Sequence, residues 1–292
     1  MSHSYYEATA RQRVLGILDE GSFEEFVPPT ERLTSPHLPQ LDVPCAFDDG
    51  IVVGQGTLDS HTVLIASQEG GFMGGAVGEV HGAKLTGLLE RAVDDGPAAV
   101  LLLIDSGGVR LHEANAGLIA LSEIMRALFS VRAAGITVAA LVGGKTGGFG
   151  GMGIVASCCD AVVMSEEGRL GLSGPEVIET AMGVEEFDSQ DKALVWRTLG
   201  GKHRYILGDS ERLVADDMEA FRHAARDVMG TGRSLSLEML NEEHERLKTR
   251  VKRFGDCRDA LEIWTRYGIV EPQRLPLLDN QEFIETVDGM KG

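Results

Sequence analysis

The chain has 292 residues, of which 43% are hydrophobic, which is enough for one large domain or two small ones with a sizeable core. Its formal net charge of −18 repels nucleic acid and anionic membrane surfaces, so neither is an expected partner. No run of about 18 apolar residues predicts a membrane span, the start lacks the apolar run of a signal peptide, and the four cysteines form no C-x-x-C pair. These features predict a cytoplasmic protein with reduced thiols and no zinc ribbon.

The first part of the chain is predicted to contain a helix, a wrapping loop, a strand pair and a second helix. Apolar positions in "RVLGIL" predict a helix within residues 1–20, and five prolines predict that the loop after it follows the surface. Residues 51–58 and 62–67 have the pattern of two strands with a turn between them. Glycines crowd residues 69–78, and a helix follows until "DDGP".

Two continuous apolar runs predict strands that are buried on both faces. They are "AAVLLLID" at residues 98–105 and "ITVAALV" at residues 136–142, with a long helix predicted between them at residues 112–133. The helical stripe Leu118, Leu121, Met125 and Leu128 is predicted to pack in the core. The later elements are two short strands, a short helix and then mostly helix, predicted at residues 160–164, 169–173, 174–183 and from 189 onward.

This alternation predicts a single α/β domain. Residues 1–50 would form its N-terminal helix and wrapping loop, residues 51–185 its core, and residues 186–292 a helical C-terminal part.

The stretch "LVGGKTGGFGGMGIVAS" holds seven glycines between residues 143 and 153. Three interpretations are possible: a P-loop, a dinucleotide-binding turn or an oxyanion site. A P-loop lacks its first glycine, because Ala139 stands there inside a strand pattern. The dinucleotide-binding pattern G-x-G-x-x-G matches Gly148, Gly150 and Gly153, but such a match arises easily by chance where glycines are so frequent. Backbone N–H groups that hold an oxyanion explain both "DSGGVR" and "TGGFGGMG", and tight packing of helices on strands remains the plain alternative.

Four motifs in one order indicate a family. "EGGFMGGAVGEVHGAK", "DSGGVRLHEA", "KTGGFGGMGIVAS" and "LGLSGPEVI" resemble the motif series of the carboxyltransferase branch of the crotonase-like superfamily, as in the β subunit of acetyl-CoA carboxylase. That subunit carries a four-cysteine zinc ribbon in bacteria, and this chain has no cysteine pair to build one. The tail "HERLKTRVKRFGDCRDALEIWTRYGIVEPQRLP" and the length more closely resemble the β subunits of biotin-independent malonate decarboxylases.

The resemblance implies a crotonase/ClpP-like spiral of ββα units and a decarboxylation. Malonyl held as a thioester on an acyl carrier protein would lose CO2 and become acetyl, without biotin or metal. The thioester would sit on a phosphopantetheine-type, CoA-like arm of the carrier. The implied partners are a homologous γ subunit, the acyl carrier protein subunit and an acyl-carrier transferase subunit, with the active site between β and γ.

Losing CO2 leaves an enolate, and backbone N–H groups are predicted to stabilise its oxygen. Gly107 and Gly108 are the first choice, and a second set is expected among Gly147, Gly148, Gly150 and Gly151, where two glycine doublets leave the assignment open. His81, His112 and Glu113 are candidate proton donors, and the alternative for each is a surface or cap residue. Candidate substrate or carrier contacts are Ser106, Arg110, Gly74 and Gly75, with Arg110 either bracing its loop or contacting a phosphate-bearing arm.

An acidic chain must also meet an acidic carrier, and this requires a local basic cluster. Arg246, Arg250 and Arg253 fall on one helix face and are candidates for it, unless they pair with nearby glutamates. Two other functions remain open: a biotin-dependent acyl-CoA carboxyltransferase β subunit, and a scaffold that only docks the carrier for a catalytic partner.

Overall fold

A single mixed sheet forms the centre of the molecule. The computed structural model describes residues 3–233 and 235–288, and within them seven strands lie side by side in chain order. The second strand pairs antiparallel with both the first and the third, and every later pair, from the third strand onward, is parallel. The strands are β1 (Glu24–Phe26), β2 (Ile51–Leu58), β3 (His61–Gln68), β4 (Ala99–Ile104), β5 (Thr137–Val142), β6 (Ala161–Ser165) and β7 (Arg212–Val214).

Because each parallel strand pairs with the next strand in sequence, the chain advances through the sheet as a spiral, with helices in the connections. The helices are α1 (Ala10–Ile17), α2 (Glu79–Asp95), α3 (Ala116–Ala133), α4 (Gly150–Ser157), α5 (Pro175–Met182), α6 (Lys192–Leu199), α7 (Gly201–Leu207), α8 (Met218–Val228), α9 (Leu237–Phe254), α10 (Ala260–Arg266) and α11 (Asn280–Asp288). Among the described residues, no helix is long and apolar enough to cross a membrane.

The central strands are buried on both faces, as their apolar runs predict. In β4, Leu102 and Ile104 pack into a core shared with α2, α3 and α4, whereas Leu101 and Leu103 pack on the opposite face against α1 and α8. Helix α2 ends at Gly96, whose left-handed backbone suits glycine.

A second, smaller layer of pairing follows the main strands. Parallel bridges join Val77 to Val109, Ser106 to Gly148 and Gly148 to Leu170, each a few residues beyond the carboxyl end of a strand. Each turn of the spiral therefore consists of a strand, a short extended segment and a helix. This is the ββα repeat that the motif series implies, and the prediction of a crotonase-type α/β fold is confirmed.

The structure differs from the predicted elements mainly where segments are short. The strand predicted at residues 169–173 is reduced to bridges at Arg169 and Leu170. The predicted helix at residues 112–133 starts only at Ala116, because residues 111–113 form a 3₁₀ turn. Strands β1 and β7 have three residues each, too few to show a pattern in sequence.

Candidate active site

The two glycine segments meet at the carboxyl edge of the sheet. The Ser106 N–H donates to the Gly147 carbonyl at 2.6 Å, and the Phe149 N–H donates to the Ser106 carbonyl at 2.8 Å. A methyl group on Gly150 would lie 3.0 Å from the Cα of Gly108, so the turn after β4 touches the first residue of α4. Both glycines have positive φ, +126° at Gly108 and +57° at Gly150, which L side chains rarely adopt.

Five of the six glycine N–H groups predicted as oxyanion donors are already bonded inside the protein. Three of them donate to carbonyls of other segments: Gly107 to Gly74, Gly148 to Arg169 and Gly150 to Leu172. The other two donate to side chains, Gly147 to Asp105 Oδ1 and Gly108 to the Ser106 hydroxyl. The prediction that Gly107 offers its N–H to an oxyanion is therefore corrected, and the same holds for Gly147, Gly148 and Gly150.

In the part of the chain that the structure describes, Gly151 remains a free donor, and Gly108 has the longest of the five bonds. The Gly108 N–H donates to the Ser106 hydroxyl at 3.2 Å. The Gly151 N–H lies in the first turn of α4 and has no hydrogen-bond partner among the described residues. The first turn of a helix also carries the positive end of its dipole, so an oxyanion near α4 is favoured.

Ser106, Gly74 and Gly75 shape this region through the backbone. The Ser106 side chain is fully buried and closes the turn on Gly108. The Gly74 carbonyl holds the Gly107 N–H at 2.8 Å, and a methyl group on Gly75 would lie 1.8 Å from the Asp105 carbonyl oxygen. Their contact with substrate or carrier stays a prediction.

Arg110 braces its loop and does not face outward. Its side chain is buried, and Nη1 donates to Asp49 Oδ2 at 2.8 Å and to Glu113 Oε1 at 3.1 Å. Glu113 Oε2 accepts the Glu79 N–H at 2.6 Å and so caps the start of α2. Of the two roles predicted for Arg110, the structure supports bracing; Glu113 is occupied by the same buried cluster, which argues against its role as proton donor.

His81 is enclosed, whereas His112 is exposed. The His81 ring lies 3.0 Å from Gln68 Nε2, and its Nδ1 lies 3.3 Å from the Asp49 carbonyl. Burial, assisted by the positive charge of Arg110, lowers the pKa of His81 to about 3, so the ring is neutral near pH 7. A neutral, enclosed imidazole is a poor proton donor, and of the three candidates only His112 reaches solvent.

Two buried histidines make stability depend on pH. Burial also lowers the pKa of His203 to about 3; its Nδ1 accepts the Trp264 indole N–H at 3.1 Å. Below about pH 6.5 the unfolded chain takes up a proton on each ring, whereas the folded protein does so only near pH 3. The stability that comes from keeping these rings neutral is therefore fully present above pH 6.5 and is lost as the pH falls below it. We expect each ring to lower the free energy of unfolding by about 2 kcal/mol between pH 6.5 and pH 5. Urea unfolding across this range measures the slope.

The matched variants are His203→Gln, which should remove one ring's share of that slope and leave the share of His81, and His112→Gln at the exposed ring, which should leave the slope unchanged. Equal slopes in wild type and His203→Gln would contradict the assignment.

The predicted carrier-docking arginines are bound to their own chain. Arg246 pairs with Glu243, and Arg250 donates to Asp209 at 2.8 Å and to the Leu207 carbonyl at 2.6 Å. Arg253 donates to the Arg266 carbonyl and lies over the rings of Phe254 and Tyr267. These contacts tie α9 to the body and favour the alternative in which the arginines pair within the chain, while the docking role stays a prediction.

Replacing Arg246, Arg250 and Arg253 together by alanine should therefore affect stability more than carrier recognition. We expect Tm to fall by about 2–4 °C, the shift caused by about 1 kcal/mol in a chain of roughly this size. KM should change equally for a carrier-bound and a small malonyl thioester. As a control, Lys248→Ala and Lys252→Ala remove exposed cations from the same helix. A rise in KM confined to the carrier would restore the docking role.

Apolar side chains surround the site and face outward. Leu118 and Ile119 of α3 are 54% and 63% exposed, and Leu111 and Leu172 are 84% and 68% exposed. The predicted core stripe is confirmed at three positions, because Leu121 and Leu128 are buried and Met125 packs against the same core. Leu118, in contrast, is exposed. The prediction for Leu118 was wrong because the buried face of α3 begins with Gly117, Ala120 and Leu121, and Leu118 lies to the side of it. A group of exposed apolar residues on site-forming elements indicates a contact surface.

The ββα spiral, in which a glycine turn meets the N-terminus of a helix, has the crotonase-like architecture that the four motifs imply. The carboxyl transferase domain family model matches residues 2–231. The chain belongs to this family, and the resemblance carried by the four motifs is confirmed.

Individual relatives extend the similarity over nearly the whole chain. The chain is 41% identical over 310 aligned positions to the malonyl-S-ACP:biotin-protein carboxyltransferase MADC of Malonomonas rubra, covering 99% of this chain and 96% of that protein. Its fold is similar to a Pseudomonas malonate decarboxylase hetero-tetramer solved in complex with malonate, with a TM-score of 0.80, 38% identity and coverage of 89% and 95%. The Pseudomonas MdcD-MdcE hetero-dimer matches with a TM-score of 0.68, 36% identity and coverage of 87% and 97%.

Proposed function

We propose that the chain is the β subunit of a malonate decarboxylase. With a γ subunit, it would convert malonyl-S-acyl carrier protein into acetyl-S-acyl carrier protein and CO2. The observation that carries this proposal is the junction of the Gly108 turn with the N-terminus of α4, where the Gly108 backbone touches the first residue of the helix in a carboxyltransferase fold. The similarity to malonate-handling proteins over the whole chain gives the substrate class.

The chemistry needs charge stabilisation more than an acid–base pair. The bond between the malonyl carboxylate and the α carbon breaks, and its electron pair spreads onto the thioester oxygen as an enolate while CO2 departs. The N–H groups of Gly108 and Gly151 would donate to that oxygen. Such donors in a fixed site are worth about 2.7–4 kcal/mol each when charge develops. A proton then returns to the α carbon to give acetyl; His112, from its exposed position, remains our candidate relay.

The proposal includes no metal and no biotin. An enolate held by backbone donors needs no metal charge, and CO2 can leave without an acceptor. The malonyl thioester would be carried on a phosphopantetheine-type arm of an acyl carrier protein. The name of the Malonomonas relative includes a biotin-protein, so the main alternative is transfer of the carboxyl group to biotin.

The partners in the proposal are a homologous γ subunit, an acyl carrier protein and an acyl-carrier transferase subunit. The exposed apolar residues Leu111, Leu118, Ile119 and Leu172 offer a surface for the γ subunit beside the site. The two similar Pseudomonas structures are a hetero-tetramer and a hetero-dimer, which fits this arrangement. All four cysteines are free thiols, which fits the reducing cytoplasm as the location.

The test is mass spectrometry of malonyl carrier protein incubated with the purified complex and with this chain alone. Loss of CO2 by the complex, unaffected by avidin, would support the proposal. Inhibition by avidin, or a requirement for a biotinylated acceptor, would favour the carboxyltransferase alternative. Full activity of a complex whose Gly108 turn is blocked would reduce this chain to a scaffold.

A further inference from the structure

A buried carboxylate lies between the two glycine segments of the site. Asp105 follows β4, precedes the Ser106–Gly108 turn and is only 3% exposed. Its Oδ1 accepts the backbone N–H of Thr146 at 2.7 Å and of Gly147 at 3.1 Å. One side chain at the base of the first glycine segment therefore holds the backbone of the second.

Three glycines make room for Asp105. A methyl group on Gly144 would lie 2.2 Å from its Cγ, one on Gly70 would lie 2.6 Å from Oδ2, and one on Gly75 would lie 1.8 Å from its carbonyl oxygen. These glycines come from two different loops. Part of the glycine enrichment therefore serves this carboxylate and its backbone, and not the substrate.

The charge of Asp105 is balanced by Arg13 of α1. Arg13 Nη1 lies 2.9 Å from Asp105 Oδ2, and the side chains are 2% and 4% exposed. The same guanidinium donates from Nε to the Tyr5 carbonyl at 3.0 Å, which fixes its position. A buried carboxylate without a partner is strongly destabilising, so the pairing allows a full negative charge to hold the two N–H groups. It also leaves no net charge beside a developing enolate.

Backbone hydrogen bonds carry this constraint to the proposed donors. Residue 106, next to Asp105, is bonded in both directions to the segment that Asp105 holds, through the Gly147 carbonyl and the Phe149 N–H. Gly108 lies three residues after Asp105, and Gly151 lies four residues after Gly147. The position of the carboxylate therefore sets the spacing between the turn and the start of α4.

We propose that Asp105, with Arg13 as its counter-charge, is a positioning residue that holds the Gly108 and Gly151 N–H groups at the distance that the enolate oxygen requires. This inference rests on the proposed decarboxylation. A shift of about 1 Å between such groups lowers a rate by about 100-fold.

The chain provides a matched control in Asp160. Its Oδ2 accepts the Val138 N–H at 2.9 Å, and its Oδ1 lies 2.9 Å from Nε of Arg132, with both side chains buried. The same kind of ion pair and backbone bond therefore exists at the opposite edge of the parallel strands. Loss of either aspartate should destabilise the protein to a similar extent, but only Asp105 lies at the site.

The experiment compares Asp105→Ala and Asp160→Ala in the β–γ complex. We expect Asp105→Ala to lower kcat on malonyl carrier protein by about 100-fold with KM changed less than about threefold, and Asp160→Ala to keep kcat within about twofold. Amide hydrogen exchange in residues 143–152 of the substrate-free complex should accelerate in Asp105→Ala only. Equal kcat in the two folded variants, or unchanged exchange in that segment, would overturn the proposal. An inactive wild-type complex would refute the decarboxylation, while the exchange measurement would still test the role of Asp105.

Asp105→Asn covers the case in which the alanine variant does not fold. It keeps an oxygen for the two N–H groups and loses the charge, which leaves Arg13 unpaired. We expect Asp105→Asn to have a kcat about tenfold below wild type. The double variant that also carries Arg13→Met should have a higher kcat than Asp105→Asn alone, because the unpaired buried charge of Arg13 is then removed. No gain in the double variant would overturn the counter-charge role of Arg13.

Discussion

Gly108→Val is expected to lower kcat by about 1,000-fold or more while the protein still folds and binds its partner. The residue has φ +126°, and a side chain there would point at the start of α4, 3.5 Å from the Gly150 Cα. Valine would therefore displace the Gly108 N–H and fill the space where we place the enolate oxygen. Removing one such donor typically lowers kcat by about 100- to 1,000-fold, and steric exclusion of the substrate adds to this. The measurement is CO2 release from malonyl carrier protein by the purified complex.

Gly135→Val provides the comparison for backbone strain. Gly135 also has positive φ, +79°, and apart from its chain neighbours no heavy atom of the described residues lies within 4 Å of the position of its Cβ. It precedes β5 at the amino edge of the parallel strands, remote from the site. A valine there should lower Tm and leave kcat nearly unchanged. Wild-type turnover in a folded Gly108→Val complex would refute the assignment of this turn.

The sequence predicted the fold well where apolar runs were long. Continuous apolar runs located β4 and β5, and the helical spacing of leucines located α2 and α3. Both patterns are visible in the sequence because each of these elements buries a continuous surface. It failed at β1 and β7, whose three residues are held by pairing with distant strands. The order of the glycine motifs supplied the ββα topology, through a resemblance to a family and not through any local signal.

The candidate site was predicted less completely, because hydrogen bonds between turns of the spiral leave no trace in sequence. The glycines at residues 107, 147, 148 and 150 look like equal donors to Gly108 and Gly151. Their N–H groups are occupied by the Asp105 carboxylate and by carbonyls of Gly74, Arg169 and Leu172. Asp105 itself was overlooked as a functional residue. An acidic residue at the end of a buried apolar strand, directly before two glycines, is the signal that could have identified it.

Ion pairs between distant parts of the chain are likewise not visible in the sequence. The sequence offers glutamates on the same helix as partners for the basic face of α9, and Arg246 does pair with Glu243. Asp209, which holds Arg250 and lies 41 positions earlier, follows α7 and could not be paired with α9 before the fold was known.

Leu118→Asp combined with Ile119→Asp is expected to abolish assembly with the γ subunit while leaving the isolated chain stable. The two side chains are 54% and 63% exposed on the first turns of α3, so charges there remain solvated in the free chain and would be buried without a partner in the complex. Two such charges should raise the Kd by about 1,000-fold or more, and activity should disappear with the complex. Val270→Asp is the control, because Val270 is 90% exposed and lies in the C-terminal part. Sedimentation of mixed subunits measures the outcome; a double-aspartate variant that assembles with wild-type affinity would remove this surface from the interface and place the γ subunit elsewhere on the chain.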